Sequence, residues 1–469
     1  MSIVQCGVLP HPPIAVPEVG KGEDEKVKDT QQAALELGRR IKDSGAEVLV
    51  IISPHSPLFA DAIALNKAKQ LKGSLANFGA PSPVFEFNNA PSLLNEIVVE
   101  SEKHNLVAVG LDQELAEDLD VDLSLDHGVT VPLYFLQQAG VELPLVVSSM
   151  SMFSFEQLYR FGSAVANAAN KLNKKVALLA SADLSHRLTP DAPAGYEPSA
   201  AQFDKELVSL VQSVDVMGLM NLDKDRIERA GECGLRPIIM MMGALDGKDV
   251  QSEVLSYEGP FGVGYMVASL KPGADNNSRR LLEQIEKQRQ SKVKNKRKNE
   301  SFIVTVARST LENYVLGKTP PKITPIETPD EFKGAAGTFV SIKKEGQLRG
   351  CIGSVFPQQK NIVQEVMHNA INAGIHDPRF YPVGPEELDE LTYSVDVLTN
   401  PELVTDISKL DPKKHGVIVK QDDKSGLLLP DLEGIETVGE QVKIAKEKAG
   451  INPQDENIQL ESFEVIRYL

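Results

Sequence analysis

The 469-residue chain is short of cysteine, of positive charge and of long apolar runs. Its three cysteines, Cys6, Cys233 and Cys351, lie far apart and form no CxxC pair. A disulfide framework and a structural zinc finger are therefore not expected. Lys and Arg number 49 against 66 Asp and Glu, a formal net charge of −17. Such a chain repels phosphates, so no nucleic-acid partner is expected. No apolar run reaches the ~20 residues that a membrane span needs. The start, Met1-Ser2-Ile3-Val4-Gln5-Cys6, has neither the basic region nor the apolar region of a signal peptide. The expectation is a cytoplasmic protein without a membrane segment.

What is present is the balance of an ordinary globular protein, 42% hydrophobic and 25% charged. The length exceeds what one hydrophobic core usually serves, so at least two domains are expected. Composition shifts sharply once. Arg279 to Lys298 holds nine Lys and Arg against two Glu, a net +7, just after the turn-rich Lys271-Pro272-Gly273-Ala274-Asp275-Asn276-Asn277. This marks a basic, solvated helical linker over 271–299. Before it, over 1–270, buried-strand runs at Ile3–Leu9, Val48–Ser53, Leu143–Ser149 and Val176–Ser181 alternate with amphipathic helices at Thr30–Lys42 and Phe155–Leu172. That alternation predicts an α/β domain with a largely parallel sheet. Late strands are expected at Glu253–Ser256 and Gly264–Leu270. After the linker, over 300–469, helical patterns at Phe302–Val315, Asn361–Ala373 and Val438–Ala449 are mixed with short strands, including Gly350–Ser354 and Thr392–Leu398. This reads as a separate α+β domain.

Five of the eight histidines precede residue 187, and three occupy equivalent places. His11 follows the first strand in Leu9-Pro10-His11-Pro12-Pro13. His55 follows the second in Ser53-Pro54-His55-Ser56-Pro57. His186 follows the Val176–Ser181 run in Asp183-Leu184-Ser185-His186. Open α/β sheets bind ligands beyond the carboxyl ends of their strands, so three imidazoles are expected in one crevice. The neighbouring prolines stiffen the loops, which suits metal ligation. His127, in Asp126-His127-Gly128, is a fourth candidate, whereas His104 reads as an ordinary helix-end residue. A facial triad for non-haem Fe(II) needs two histidines and one carboxylate. The third donor is sought in Ala230-Gly231-Glu232-Cys233-Gly234-Leu235-Arg236-Pro237, either Glu232 as an oxygen donor, which ferrous iron favours, or Cys233 as a thiolate. Glu232 also has the alternative of simply favouring a helix N-terminus.

The histidine segments resemble the motifs of the class III extradiol dioxygenase B-subunit family, a fold that includes the Memo-like proteins. The resemblance spans roughly residues 1–270. It implies that His11 and His55 bind Fe(II), that His186 is an acid/base residue, and that His127 contacts substrate or oxygen. In the ring-cleaving members a glutamate completes the site, and the register places Arg236 opposite it. Cys233-Gly234-Leu235-Arg236-Pro237 is similar to the Cys-Gly-x-x-Pro stretch of the Memo-like proteins. Residues 300–469 resemble the family named for the AMME-syndrome chromosomal region, through Leu348-Arg349-Gly350-Cys351-Ile352-Gly353 and Asp377-Pro378-Arg379-Phe380. The two domains together resemble the AmmeMemoRadiSam arrangement, which implies a companion radical-SAM protein. In the second domain Arg349 beside Cys351 is read either as a reactive thiol with a cationic neighbour or as a small buried residue in a strand.

Three functions follow as expectations. The first is an Fe(II)-dependent oxygenase acting on a phenolic or other small-molecule substrate. The second is a metal-binding protein, with zinc or copper as other ions, that lacks ring cleavage. The third is a scaffold for the radical-SAM partner.

Overall fold

The computed structural model describes residues 2–324, 327–344, 346–432 and 434–469. Its contacts divide the chain into two compact units, Met1–Leu282 and Glu283–Leu469. Among the described residues, no helix is long and apolar enough to cross a membrane.

The first unit contains ten strands: β1 (Ile3–Leu9), β2 (Val48–Ser53), β3 (Ile63–Asn66), β4 (Gln70–Leu75), β5 (Ala80–Asn88), β6 (Ala108–Leu111), β7 (Leu145–Ser149), β8 (Val176–Ser181), β9 (Lys248–Glu258) and β10 (Tyr265–Asp275). Eight of them form one sheet in the order β6-β3-β7-β2-β8-β1-β10-β9. The central run β7-β2-β8-β1 is parallel, while β10 and β9 join antiparallel. β2 and β8 are buried along their whole length, as the uninterrupted runs Val-Leu-Val-Ile-Ile-Ser and Val-Ala-Leu-Leu-Ala-Ser require. One core cluster packs Phe161, Val165, Ile238 and Met241 against Val50, Ile52 and Leu178. The other packs Leu37, Ile41, Leu133 and Leu136 against Leu49, Ile51 and Leu179. Because residues 49, 51 and 50, 52 alternate between faces, helices cover the sheet on both sides, a three-layer α/β unit.

Two differences from the sequence reading concern β10 and a hairpin. β10 runs through the expected breaker at residues 271–275, because its pairing with β9 continues from Lys271↔Gln251 to Asp275↔Lys248. A register shift after Pro272 accommodates the proline and its missing N–H. β4 and β5 form a two-stranded hairpin of their own, with no counterpart in the sequence reading.

The second unit begins with most of the helix Leu281–Lys298, which falls within the expected helical linker, followed by the helix Phe302–Val315. Its strands are β11 (Thr338–Lys344), β12 (Gln347–Ser354), β13 (Leu391–Leu398), β14 (Glu402–Leu403), β15 (His415–Gln421), β16 (Lys424–Leu428) and β17 (Gln459–Tyr468). They pair antiparallel in the order β12-β11-β13-β17-β15-β16, with β14 beside β17. Helices Phe302–Val315 and Ile362–Ile371 cover Val340, Ile342 and Val395, which gives the α+β organisation.

In the first unit two helices cross at paired glycines. A Cβ on Gly162 would lie 1.8 Å from the Met240 carbonyl oxygen, and one on Gly243 would lie 1.9 Å from that of Tyr159. Gly243→Ala is expected to destabilise the first unit by about 1–3 kcal/mol or more, because backbone has to move. Urea unfolding of the variant checks this, and an unchanged midpoint would show that the helices do not meet there.

Candidate metal centre

His11 and His55 each lie two residues beyond a parallel strand, and His186 five beyond another. Leu9 pairs with Ser181, and Ser53 with Ser149. The strand ends therefore line up, and their loops leave from one edge of the sheet. His127 arrives separately, as the first residue of the helix His127–Gln138. Ring centroids lie 4.8 Å apart for His11 and His55, 4.1 Å for His55 and His127, and 5.5 Å for His11 and His127.

The hydrogen bonds assign the tautomer of His11. Ser181 Oγ–H donates to the Gly128 carbonyl, so its oxygen accepts from His11 Nδ1–H at 2.8 Å. His11 Nε2 is then bare of hydrogen. It faces His55 Nε2 at 3.1 Å and Cys233 Sγ at 3.6 Å. One donor atom from each of His11, His55 and Cys233 falls within 4.8 Å of the others. A tetrahedral ion about 2.1 Å from nitrogen and about 2.3 Å from sulfur separates such donors by roughly 3.4 and 3.6 Å. The three side chains fit a metal ion, and in its absence a proton has to lie between the facing donors.

The surroundings hold these donors in place. Asp183 Oδ1 accepts from the His11 backbone N–H at 2.8 Å, with Oδ2 3.7 Å from His11 Nε2. Asp126 accepts from Ser53 Oγ and Ser56 Oγ, both at 2.7 Å, and Ser53 Oγ in turn accepts from the His55 N–H. One carboxylate thus ties the His55 loop to the helix that starts at His127. Burial pushes the basicity of all four imidazoles down, and for His55 the neighbouring His127 pushes the same way, to about 4. Burial raises Asp183 to about 7 against the opposing N–H of His11. It raises the Cys233 thiol too, with Asp183 and Glu232 adding to the effect.

His186 keeps apart from the three donors. Its Nδ1 donates to the Leu184 carbonyl at 2.9 Å, and the ring also has a hydrogen bond with the Gly231 backbone. It is close enough for His55 to lower its pKa, although burial is the larger cause. His104 has Arg160, Glu100 and Lys103 as its charged neighbours, none of them in the cluster.

The favoured third donor is displaced. Glu232 Oε2 accepts from the Leu235 N–H at 2.6 Å, at the start of the helix Leu235–Gly243, and is not among the clustered donors. Gly231 turns the chain at φ +62°, and Gly234 sits so close to Ala182 that a Cβ would lie 2.8 Å from the alanine methyl. The turn thereby points Glu232 to the helix and Cys233 to the imidazoles. Arg236 donates to the Ser151 and Phe153 carbonyls. Sequence reasoning gave no role to Ser181, Asp183, Asp126 or Phe78. Phe78, 41% exposed at the turn between β4 and β5, places its ring 5.2 Å from His127. Only the Asp-His and Asp-Leu-Ser-His spacing carried any signal for the two acids.

In the second unit Arg349 has an acidic partner. Its guanidinium binds Glu387 at 2.8 and 3.0 Å. The Cys351 N–H donates to Asp377, the Cys351 carbonyl accepts from Arg379, and Ser341 Oγ donates to Cys351 Sγ at 3.3 Å. Burial alone would raise Glu387, but Arg349 and Lys344 hold it down at about 2. A folded pKa below the ordinary 4.5 stabilises the fold fully above pH 4.5, and this contribution is lost as pH falls towards 2. Acid titration of Glu387→Gln against the unmodified chain is expected to show a stability gap that is constant above pH 5 and closes towards pH 2. A gap independent of pH would remove the assigned ion pair.

Residues 5–268 match the family model described as the catalytic LigB subunit of aromatic ring-opening dioxygenase, and residues 304–468 match AMMECR1. The protein CA_C1420 of Clostridium acetobutylicum is 40% identical over 469 residues, covering 100% of this chain and 99% of the relative. A Thermotoga maritima protein is 52% identical over 162 residues, 34% of this chain and 91% of the relative. Among solved structures, the uncharacterized protein PH0010 from Pyrococcus horikoshii aligns with 34% identity and a TM-score of 0.32, over 35% of this chain and 88% of that one. The uncharacterized protein JW3007 from Escherichia coli K12 aligns at 16% identity with a TM-score of 0.41, over 57% of this chain and 99% of that one. The chain belongs to the family of the catalytic LigB subunit of aromatic ring-opening dioxygenases, and carries an AMMECR1 domain after it.

Proposed function

We propose that the first unit is a metal-dependent oxidoreductase acting on a phenolic or similar small molecule, with its ion held by His11, His55 and Cys233. The observation that supports this most directly is the bare Nε2 of His11, facing a second imidazole and a thiol at coordination spacing. Ferrous iron or copper there would supply an electron-transfer centre, whereas zinc would supply Lewis acidity alone. The chain's own residues supply the rest. Ser181 and Asp183 fix the orientation of His11, and Asp126 fixes the approach of His55 and His127. His186, kept neutral by burial, accepts a proton from a substrate hydroxyl and returns it. The paired domains also motivate a radical-SAM partner in this reading.

A second reading is favoured by the donor set. A thiol stands where the Fe(II) facial triad has a carboxylate, which suits a metal-binding protein without ring cleavage. Metal analysis after purification without oxygen, followed by catechol-dependent oxygen uptake, separates the two. Bound metal with uptake supports the oxidoreductase, bound metal without uptake supports the second reading, and absence of metal overturns both.

Two variants test the assignments within the site. Cys233→Ser is expected to lower bound metal while Glu232→Gln retains it, as measured by elemental analysis of the folded protein. The reverse order would restore the carboxylate as ligand. His186→Ala is expected to keep its metal and to lose turnover by about 10²–10⁴-fold. Loss of metal in that variant would make His186 a ligand instead.

A further inference from the structure

A cavity of about 600 Å³ lies in the second unit, outside the site described above. Register builds its floor. Ser341 of β11 pairs with Cys351 of β12 on one side and Ser394 of β13 on the other, and Lys343 pairs with Thr392. Side chains alternate along a strand, so these residues share the face opposite Val340, Ile342 and Val395, which belong to the core. Pairing of β17 with β13 stops at Val395. Beside the start of β13, where β17 no longer pairs, the cavity is bounded by Lys296 and Arg467.

The charges at this cavity do not cancel. Glu300 is committed to Arg308 at 2.8 Å, and Arg467 is bound to Asp396 by two hydrogen bonds of 2.7 and 2.9 Å. The Leu469 backbone oxygen accepts from the Ser301 N–H. Lys296 and Lys343 are both exposed, and among the described residues neither has a carboxylate partner. Three hydroxyls, Ser341, Thr392 and Ser394, lie beside them. A chain of net charge −17 that leaves two ammonium groups unpaired at one cavity presents a local attraction for anions against a repulsive background. That background disfavours long polyanions, and the volume suits a small molecule.

We propose that this cavity binds a small molecule bearing a multiply charged anionic group, phosphate or carboxylate, with Lys296 and Lys343 as its charge partners. Cys351 does not line the cavity itself, but its Sγ accepts from the Oγ of Ser341, which does. Its thiol therefore reports occupancy, whether or not it reacts with the ligand.

The test uses the full chain at constant ionic strength. N-ethylmaleimide modification of Cys351 is followed by peptide mass mapping, which separates it from Cys6 and Cys233. Fructose 1,6-bisphosphate is the phosphate probe and succinate the carboxylate probe. One of them is expected to slow modification of Cys351 with saturation in the micromolar to millimolar range. The double variant Lys296→Gln, Lys343→Gln is expected to weaken that protection about tenfold or more, since a charge-assisted hydrogen bond is worth about 1.5–3 kcal/mol. Its thermal midpoint and its modification rate without probe should match the unmodified chain, because both lysines are exposed. Titration calorimetry covers binding that leaves the thiol uncovered. No saturable protection and no heat with either probe, protection equalled by sodium chloride, or an effect unchanged in the double variant would each overturn the proposal.

Discussion

Parallel strands that stop in line leave their loops at one edge of the sheet, and this constraint decides where the chemistry of the first unit can be. Leu9 beside Ser181, and Ser53 beside Ser149, mark that edge. The loops that leave it are short of water and rich in polar atoms. Ser53, Ser149, Ser181, Asp183 and Ser185 are all buried there. Each buried polar atom has to find a partner or cost free energy. The partners lie on other segments: Ser181 to Gly128, Ser53 to Asp126, Ser185 to Ala230. The need to satisfy these groups binds the loops into one body, and the imidazoles are held rigidly as a result.

The same burial sets the charge of the site. Four imidazoles are kept neutral, and the Cys233 thiol and the Asp183 carboxyl are pushed towards their protonated forms. A crevice of this kind has lone pairs but little charge of its own. A cation that enters has to displace protons to gain a thiolate ligand, so metal affinity and acidity are linked. The second unit solves a different problem. Its antiparallel sheet has one face on the core, and its acids, the buried Asp377 and the part-buried Glu387, are neutralised by Arg379 and Arg349.

Much of this organisation was legible in the sequence, for physical reasons that can be named. β1, β2 and β8 are continuous apolar runs, and helices Phe302–Val315 and Val438–Ala449 carry their period plainly. His11, His55 and His186 could be grouped because each follows such a run. The choice between Glu232 and Cys233 could not be read, since the left-handed conformation of Gly231 decides which neighbouring side chain faces the imidazoles. Ser181, Asp183 and Asp126 were silent because their roles depend on hydrogen bonds between distant segments. The β4–β5 hairpin was silent too, as only its fold brings Phe78 to His127. β10 continued past an expected stop because pairing with β9 outweighed the local preference of Pro272 and Gly273.

β12 ends its sheet, with β11 as its sole strand neighbour among the described residues. A free strand edge offers its N–H and C=O groups to any passing strand of another molecule. At Cys351 that offer is closed. The Asp377 carboxylate takes the N–H, and the Arg379 guanidinium takes the carbonyl. Two side chains in a loop thus imitate the strand that is missing. An acid and a base paired with each other leave no net charge behind, so the seal repels nothing that belongs in the neighbouring cavity. Asp377 and Arg379 thus satisfy, at Cys351, the backbone groups that an edge strand otherwise leaves open to another chain.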